Sequence, residues 1–251
     1  MSGELRIIPI RGIGEVNPGD DLAATILSAL ERQDLVLADG DVLVVTQKIV
    51  SKAEGRVVAL DEIEPSRFAR EAASQGHKDA RYYEIVLRES RRIVKMDRGV
   101  LVTETHHGLI CANAGVDESN VAGGGLVTLL PIDPDGSAAA LRAALRERAG
   151  ASVAVIISDT FGRPWREGLV NVAIGVAGIA PLADYTGQPD GYGYMMQASV
   201  IAAADELASA AELVMGKVDA VPVAIVRGYA HMPAEGSAKA LIRAPERDLF
   251  R

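Results

Sequence analysis

The sequence contains one cysteine, Cys111, among its 251 residues. A single thiol excludes an intrachain disulfide and a metal site made of several thiolates, and it is typical of a reducing compartment. Aromatic residues make up only 4% of the chain, too few for the stacking platforms that bind single-stranded nucleic acids. No apolar run reaches the roughly 18 residues of a membrane-spanning helix, and Glu4 and Arg6 interrupt the only place for a signal peptide. We therefore expect a cytoplasmic protein without a membrane partner.

Positive charge is also scarce, because 26 Lys and Arg stand against 34 Asp and Glu and give a formal net charge of −8. This charge disfavours non-specific binding to nucleic acids, and we expect no nucleic-acid partner. Apolar residues make up 49% and charged residues 24% of the chain, which is typical of a folded globular protein. At roughly 100–200 residues per domain, we treat residues 1–251 as one unit that could contain two interleaved subdomains.

The usual nucleotide-binding motifs are missing. The only Gly-Lys pair, Gly216-Lys217, has no glycine five residues before it, so the sequence has no Walker A loop. Gly12 and Gly14 lack the third glycine of a dinucleotide-binding turn, so a Rossmann site is not expected.

The hydrophobic pattern predicts a mixed α/β fold. Apolar runs predict strands, and apolar residues at helical spacing predict helices. The expected strands cover 5–10, 42–45, 152–157 and 221–227, with antiparallel strands within 99–113, and the expected helices cover 22–33, 65–98, 133–148 and 199–214. A helix followed by a buried strand is typical of a sheet that is at least partly parallel. The fold class is therefore α/β with a mixed sheet.

A pair of lysines follows the buried strand that ends near Val45. If a helical turn begins there, Lys48 and Lys52 share one face of it. Ligands of open α/β sheets collect at the carboxyl ends of strands, and an ammonium group can bind a phosphate there. The alternative is two solvated lysines on a surface turn.

A second candidate site is acidic. Asp117 lies in a polar loop between apolar runs, and Asp159 and Thr160 follow the most apolar strand. Two carboxylates and a hydroxyl are typical ligands of a hard divalent cation beside phosphate oxygens. The alternatives are an Asx turn at Asp117 and a helix cap at Asp159.

The remaining reactive side chains favour structural interpretations. His106 and His107 are adjacent and point in different directions, so we interpret them as surface residues. Cys111 lies in an expected strand and is interpreted as an inert buried thiol.

Six ordered blocks of the chain resemble the coenzyme F-420-0 γ-glutamyl ligases of deazaflavin coenzyme biosynthesis. The resemblance spans essentially the whole sequence. The blocks are 8–22, with Ile8-Pro9-Ile10 and Gly19-Asp20-Asp21-Leu22; 40–55; 115–121; 130–134; 158–166; and 204–228, with Ala204-Asp205-Glu206-Leu207-Ala208, Lys217 and Val226-Arg227-Gly228.

The resemblance implies a GTP-dependent ligase that adds L-glutamate to a deazaflavin precursor and extends a γ-linked glutamate tail through an acyl phosphate, with GDP and phosphate as products. It implies a family-specific α/β fold, a homodimer, Mg²⁺ or Mn²⁺ as the divalent cation, and K⁺ as an assisting monovalent cation. The metal ligands would be Asp117, Asp159 and Thr160, and the catalytic residues Lys52, Asp117 and Asp159. The GTP contacts would be Ile13, Gly14, Glu15, Val16, Gln47, Lys52 and Asn120.

Two alternatives remain open for the function. Some relatives are fused to a flavin-dependent reductase, so residues 1–251 could be the ligase half of such a fusion. The chain could also be a regulator that binds GTP without turnover.

The arginine-rich segment 81–98 has two interpretations of its own. It could guide an anionic acceptor towards an acidic enzyme, or it could be a solvated or dimer-facing surface.

Overall fold

A five-stranded mixed sheet lies at the centre of the protein, and a computed structural model describes it within residues 3–118, 125–231 and 233–248. Numbered in chain order, its strands are β1 (Arg6–Ile10), β12 (Val223–Arg227), β2 (Val42–Thr46), β8 (Ala154–Arg163) and β9 (Arg166–Ala177), in that spatial order. β2 and β8 are parallel, with Thr46 opposite Ser158, and the other neighbouring pairs are antiparallel. The predicted mixed α/β class is confirmed.

Helices cover both faces of this sheet. α1 (Leu22–Glu31) and α5 (Pro134–Ala149) pack on one face, where Ile26 and Leu145 contribute to a core shared with Val45. α6 (Ala203–Met215) covers the other face, where its Met215 joins the core around Val44. Because both faces are covered, β2 is apolar and buried at four consecutive positions rather than alternating.

The predicted helix starts at α1 and α5 are confirmed by their caps. The Asp21 carboxylate accepts a hydrogen bond from Ala24 N at 3.0 Å, and the Asp133 carboxylate accepts one from Gly136 N at 3.2 Å. These bonds satisfy amide groups that have no partner within the first turn of a helix. α5 ends at Gly150, whose φ of 70° is the left-handed conformation common after a helix.

Residues 57–118 and 125–128 belong to an inserted unit between α2 (Gln47–Ala53) and α5, with its own apolar core around Tyr83 and Leu101. Its ends are joined by β3 (Val57–Ala59) and β7 (Leu126–Thr128), which pair antiparallel. Between them lie α3 (Arg67–Gln75), α4 (Ala80–Arg88) and a three-stranded antiparallel sheet of β4 (Ser90–Asp97), β5 (Val100–Thr105) and β6 (Ile110–Ala112). The antiparallel strands expected within 99–113 are confirmed, whereas the number of domains stays a prediction.

The single helix expected over 65–98 is wrong. Residues 76–79 separate two helices, α3 and α4, and residues 90–97 form strand β4. Arg98 and Gly99 have φ angles of 49° and 77°. Two successive positive φ angles are typical of the tight turn that joins antiparallel strands. The chain therefore leaves α4 at Arg88 and forms a hairpin of β4 with β5.

Strand β8 continues well beyond its expected end at Ile157. Its second half pairs with β9, with Asp159 opposite Val172, and Trp165 has a φ of 58° in the connecting turn. Asp159 therefore lies within a strand, and the alternative of a helix cap is wrong.

Two further short strands precede α6. The helix expected from 199 begins at Ala203, because β11 (Val200–Ile201) pairs with β10 (Ala183–Asp184). In the described ranges, no helix combines the length and apolarity needed to cross a bilayer.

Candidate active site

A cavity of about 690 Å³ opens at the carboxyl end of β2, where its parallel pairing with β8 ends at Thr46 and Ser158. Strand ends are where open α/β sheets collect ligands, because the connecting loops diverge there. Its polar and charged lining consists of Glu15, Thr46, Gln47, Lys48, Lys52, Asp117, Ser158, Asp159, Thr160, Asn171, Glu212 and Lys217. Elements that are far apart in the sequence thus contribute to one site.

Asp159 is held in β8 with its carboxylate beside the cavity. Burial, and to a smaller extent the nearby negative charge of Asp117, raises the pKa of this carboxyl to about 6. The amide N–H of Thr160, together with the ammonium groups of Lys48 and Lys217, opposes this rise. A carboxyl whose charge is costly in the folded protein is typical of a site that needs a positively charged ligand.

Asp117 reaches the cavity from the inserted unit. Its backbone exchanges two hydrogen bonds with Thr128, at 3.0 and 2.8 Å, and its Oδ2 lies 2.8 Å from Lys48 Nζ. The chain segment before Asp117 contains Asn113, Ala114 and Gly115, which all have positive φ angles. Gly115 cannot be replaced freely, because a Cβ there would lie 2.9 Å from the Leu130 side chain.

Thr160 belongs to a network of polar side chains at one wall of the cavity. Its Oγ1 donates to Asn171 Oδ1 at 2.8 Å, and Asn171 Nδ2 donates to Glu212 Oε2 at 2.8 Å. Lys217 Nζ donates to Thr160 Oγ1 and lies 3.7 Å from Glu212 Oε1. Asn171 and Glu212 were not among the expected site residues. The one sequence feature that indicates a functional role is that Asn171 is the lone asparagine in an otherwise small and apolar run.

The helical turn expected after β2 is confirmed as α2, and Lys48 and Lys52 both line the cavity. The interpretation as two solvated surface lysines is wrong for Lys52, because it is 8% exposed and its Nζ donates to Glu15 Oε1 at 2.5 Å. Two ammonium groups at a strand end give the cavity an attraction for phosphate or carboxylate oxygens.

Six of the seven residues expected to contact a nucleotide line this one cavity: Ile13, Gly14, Glu15, Val16, Gln47 and Lys52. The seventh, Asn120, lies outside the described residues. The expected metal ligands Asp117, Asp159 and Thr160 line the same cavity. The roles of these residues stay predictions. Their spacing in the sequence did not predict that the expected nucleotide contacts and metal ligands line one cavity.

Two side chains of the cavity wall have unused hydrogen-bonding groups. Gln47 and Ser158 are each 1% exposed, and among the described residues Gln47 Nε2 and Ser158 Oγ have no hydrogen-bond partner. A buried polar group without a partner costs free energy. Such groups are rare unless a ligand or a water molecule completes them.

The residues interpreted as structural do not line this cavity. His106 Nε2 is 2.9 Å from the carbonyl oxygen of Arg88, and His107 Nε2 is 2.8 Å from that of Pro131. Cys111 is buried, and this burial raises the pKa of its thiol to about 12. A thiol with such a pKa is not a nucleophile near neutral pH.

The arginine-rich segment also lies outside the cavity lining given by the described residues. Arg88 pairs with Glu84, and Arg92 pairs with Glu104 at 2.7 Å. These ion pairs favour a structural role for the segment.

The donor set of the cavity matches a hard cation better than a soft one. Asp117, Asp159 and Thr160 offer only oxygen ligands. Within the described ranges, no group of three or more His, Cys, Asp and Glu side chains is arranged to hold a metal ion by itself. A cation bound here would therefore need further oxygens, such as those of a phosphate. The sheet and its cavity define an α/β protein with a candidate active site in which lysine and carboxylate side chains lie together.

The family of the chain follows from comparison with known proteins. Residues 12–228 match the family model described as "F420-0:Gamma-glutamyl ligase", so the chain belongs to this family. A "Coenzyme F420:L-glutamate ligase" of Methanothermobacter thermautotrophicus is 48% identical over 250 residues, 98% of this chain and 99% of that protein. Its namesake in Methanopyrus kandleri is 49% identical over 252 residues, 98% of each chain. The protein is thus an enzyme of the ligase class.

Proposed function

We propose that the protein is a GTP-dependent ligase that attaches L-glutamate to the deazaflavin precursor coenzyme F-420-0. It then extends the product by γ-linked glutamates. The observation that carries this proposal is the single cavity in which Asp117 and Asp159 lie beside Lys48, Lys52 and Lys217. Family membership supports the choice of the amino acid and the acceptor.

The reaction requires activation of a carboxylate, because an amine does not displace oxide from it. The acceptor carboxylate attacks the γ-phosphorus of GTP, GDP leaves, and an acyl phosphate forms. The amine of L-glutamate then attacks the acyl carbon, loses a proton, and displaces inorganic phosphate. Each added glutamate therefore consumes one GTP.

The lysines supply fixed positive charge for these steps. Lys52 is buried at the base of the cavity wall, so its charge is weakly screened by water. Placed beside the phosphates, this charge lowers the repulsion between the acceptor carboxylate and GTP. Ile13, Gly14, Glu15, Val16 and Gln47 would form the rest of the nucleotide wall, with Asn120 as a further contact.

The carboxylates fit the divalent cation that such a reaction needs. Asp117, Asp159 and Thr160 would hold Mg²⁺ or Mn²⁺, because their oxygens are the ligands these ions prefer. When bound, the ion supplies positive charge next to the phosphate oxygens. We also propose that K⁺ assists, as the resemblance implies.

Two further expectations belong to the proposal. The enzyme would act as a homodimer, which is supported by exposed apolar side chains at and near β10 and β11, namely Tyr185, Tyr192, Tyr194, Met195, Val200 and Ile201. It would act in the cytoplasm, which is supported by the single thiol.

A reaction with GTP, Mg²⁺ or Mn²⁺, K⁺, L-glutamate and coenzyme F-420-0 tests the proposal. Mass spectrometry should show an acceptor that gains glutamyl units, with one GDP released per unit. A protein that binds GTP but releases no phosphate with both substrates present would instead be a regulator. An unchanged acceptor beside an active control enzyme would refute ligase activity on this substrate.

A further inference from the structure

We propose that Ser158 Oγ and Gln47 Nε2 form a subsite that donates hydrogen bonds to one anionic oxygen of a bound substrate. Both groups line the cavity, and both side chains are 1% exposed. Neither atom has a partner among the described residues. The proposal rests on the proposed function only for the identity of the substrates.

The strand register brings the two residues to the same part of the cavity wall. Ser158 pairs in register with Thr46 across the parallel strands, and Gln47 directly follows Thr46. A register shift between β8 and β9 falls between Ile157 and Ser158. Irregularities of this kind redirect side chains and are frequent beside active sites. Here the shift marks the point where β8 changes from core residues to cavity residues.

The hydrogen-bonding groups without a partner among the described residues define the chemistry of the ligand. Gln47 Oε1 already accepts a hydrogen bond from Ser51 Oγ at 2.8 Å, which orients the amide so that Nε2 is the end without a partner. An amide nitrogen only donates, and a hydroxyl can donate as well. Two donors in a desolvated wall match an oxygen that carries negative charge, either of a phosphate or of a carboxylate.

The nearby charges support an anion rather than a neutral ligand. Lys48 lies on the same helix as Gln47 and lines the same cavity. Lys217 also lines this cavity and donates a hydrogen bond to the Thr160 hydroxyl, two residues after Ser158. An anionic oxygen at Ser158 would thus lie close to the ammonium groups that attract it.

The main test is Ser158→Ala, which removes the hydroxyl and leaves the strand unchanged. Because the hydroxyl has no partner among the described residues, the ligand-free variant should melt at the same temperature as the wild type or higher. Thr103→Val is the matched control, since Thr103 Oγ1 is also buried without a partner in the described part of the chain but lies outside the cavity lining. A second variant, Gln47→Glu, replaces the amide donor by a carboxylate of nearly the same shape.

Calorimetry with inorganic triphosphate, GTP and L-glutamate, each with Mg²⁺, separates the two sources of the oxygen. If the oxygen belongs to a phosphate, Ser158→Ala should raise the Kd of triphosphate and of GTP about tenfold, the effect of one lost hydrogen bond to a charged group. If the oxygen belongs to a carboxylate, the Kd of triphosphate and of GTP should stay constant. In the kinetic assay, the KM of L-glutamate or of the acceptor should then rise about tenfold. Gln47→Glu should weaken the same ligand more strongly, and Thr103→Val should change none of them.

Two results would overturn the proposal. One is a folded Ser158→Ala variant that keeps every Kd and KM within twofold of the wild type. The other is a lower melting temperature of the ligand-free Ser158→Ala variant, since this would mean that the hydroxyl has a structural partner. Failure of glutamyl transfer by the wild type would refute the proposed function instead. The subsite would still be tested in that case, because the Kd of triphosphate can be compared between the wild type and Ser158→Ala.

Discussion

Lys48 Nζ lies 2.8 Å from Asp117 Oδ2, and this ion pair joins the helix that follows β2 to the inserted unit. The pair brings together the basic and the acidic candidate sites, which the sequence presents about 70 residues apart. The exposed fractions of the two side chains are 26% and 34%, so the charges are partly shielded from water. A substrate that binds here meets both signs of charge at once.

Removal of either carboxylate should abolish most of the turnover. We expect Asp117→Asn and Asp159→Asn to lower kcat more than about 100-fold, because even residues that only orient metal ligands contribute about 10–100-fold. Mn²⁺ titration by calorimetry should show weaker metal binding by both variants, while circular dichroism shows an intact fold. Asp61→Asn, at an exposed position outside the cavity, is the control. Wild-type rates of both variants at limiting metal would refute the assignment.

Lys52 should contribute mainly to nucleotide binding. Lys52→Met removes the buried ammonium and keeps much of the aliphatic volume, so we expect the KM for GTP to rise about tenfold or more. The KM for L-glutamate should change less than twofold. Lys95→Met, at an exposed position on β4, is the matched control. Equal GTP constants in the Lys52→Met variant and the wild type would exclude Lys52 from the nucleotide site.

The arginine-rich segment should not contribute to capture of the acceptor. Glu84 pairs with Arg88, and Glu104 pairs with both Arg91 and Arg92, so much of the positive charge is neutralised locally. We expect the variants Arg88→Ala, Arg91→Ala and Arg92→Ala each to keep the KM of the acceptor within twofold of the wild type. The salt dependence of this KM should also stay the same. A raised acceptor KM that is confined to these variants would instead support a guiding role.

Asp79 should stabilise the fold in a pH-dependent way. The Arg81 side chain and its backbone N–H hold the pKa of Asp79 at about 2, below its usual 3.8. A lowered pKa means that the carboxylate stabilises the folded state above pH 3.8, and that this contribution is lost as the pH falls towards 2. We expect Asp79→Ala to lower the free energy of unfolding by about 1 kcal/mol at neutral pH, as for other helix caps.

Urea unfolding at several pH values measures this contribution. The difference between Asp79→Ala and the wild type should shrink as the pH falls from 3.8 to about 2. Tyr83→Phe is the control, because it removes an uncharged hydrogen bond from the Tyr83 hydroxyl to the carbonyl oxygen of Gly99, at 2.7 Å. Its effect should be nearly constant over the same range. A constant effect of Asp79→Ala would contradict the lowered pKa.

Arg227 should be required for the stability of the central sheet. It donates two hydrogen bonds to the Asp41 carboxylate, at 2.8 and 2.7 Å, and Asp41 is 1% exposed. Loss of one partner leaves a buried charge without compensation, so Arg227→Met should lower the free energy of unfolding by about 3 kcal/mol. The double variant Arg227→Met, Asp41→Asn should recover part of this loss in urea unfolding. No recovery would mean that the destabilisation has a different cause.

Local sequence was sufficient for much of the central sheet. The apolar run of β2, the capped starts of α1 and α5, and the helical turn that carries Lys48 all depend on neighbouring residues. Strand β4 was missed because its basic residues at positions 91, 92 and 95 do not alternate with apolar ones as in a half-buried strand. Its conformation depends on pairing with β5, which the isolated segment does not show.

The candidate site was predictable only in part. Local sequence made Lys52, Asp117 and Asp159 candidates, and the family resemblance favoured them over the structural alternatives. Their separation in the sequence hides the fact that they line one cavity. Asn171 and Glu212 were missed because their importance comes from one hydrogen bond between β9 and α6. Contacts between distant elements leave no local sequence pattern. The hydrogen bonds that link Thr160, Asn171 and Glu212 could therefore not be predicted from the sequence.

The pairing of β3 with β7 joins the two ends of the inserted unit beside the cavity. Val57 lies opposite Thr128, and Thr128 also exchanges backbone hydrogen bonds with Asp117. The backbone of Asp117 is thus anchored by the strand pair with which the insertion begins and ends. A change in the length of the turn between β4 and β5 would leave this anchor of the carboxylate intact.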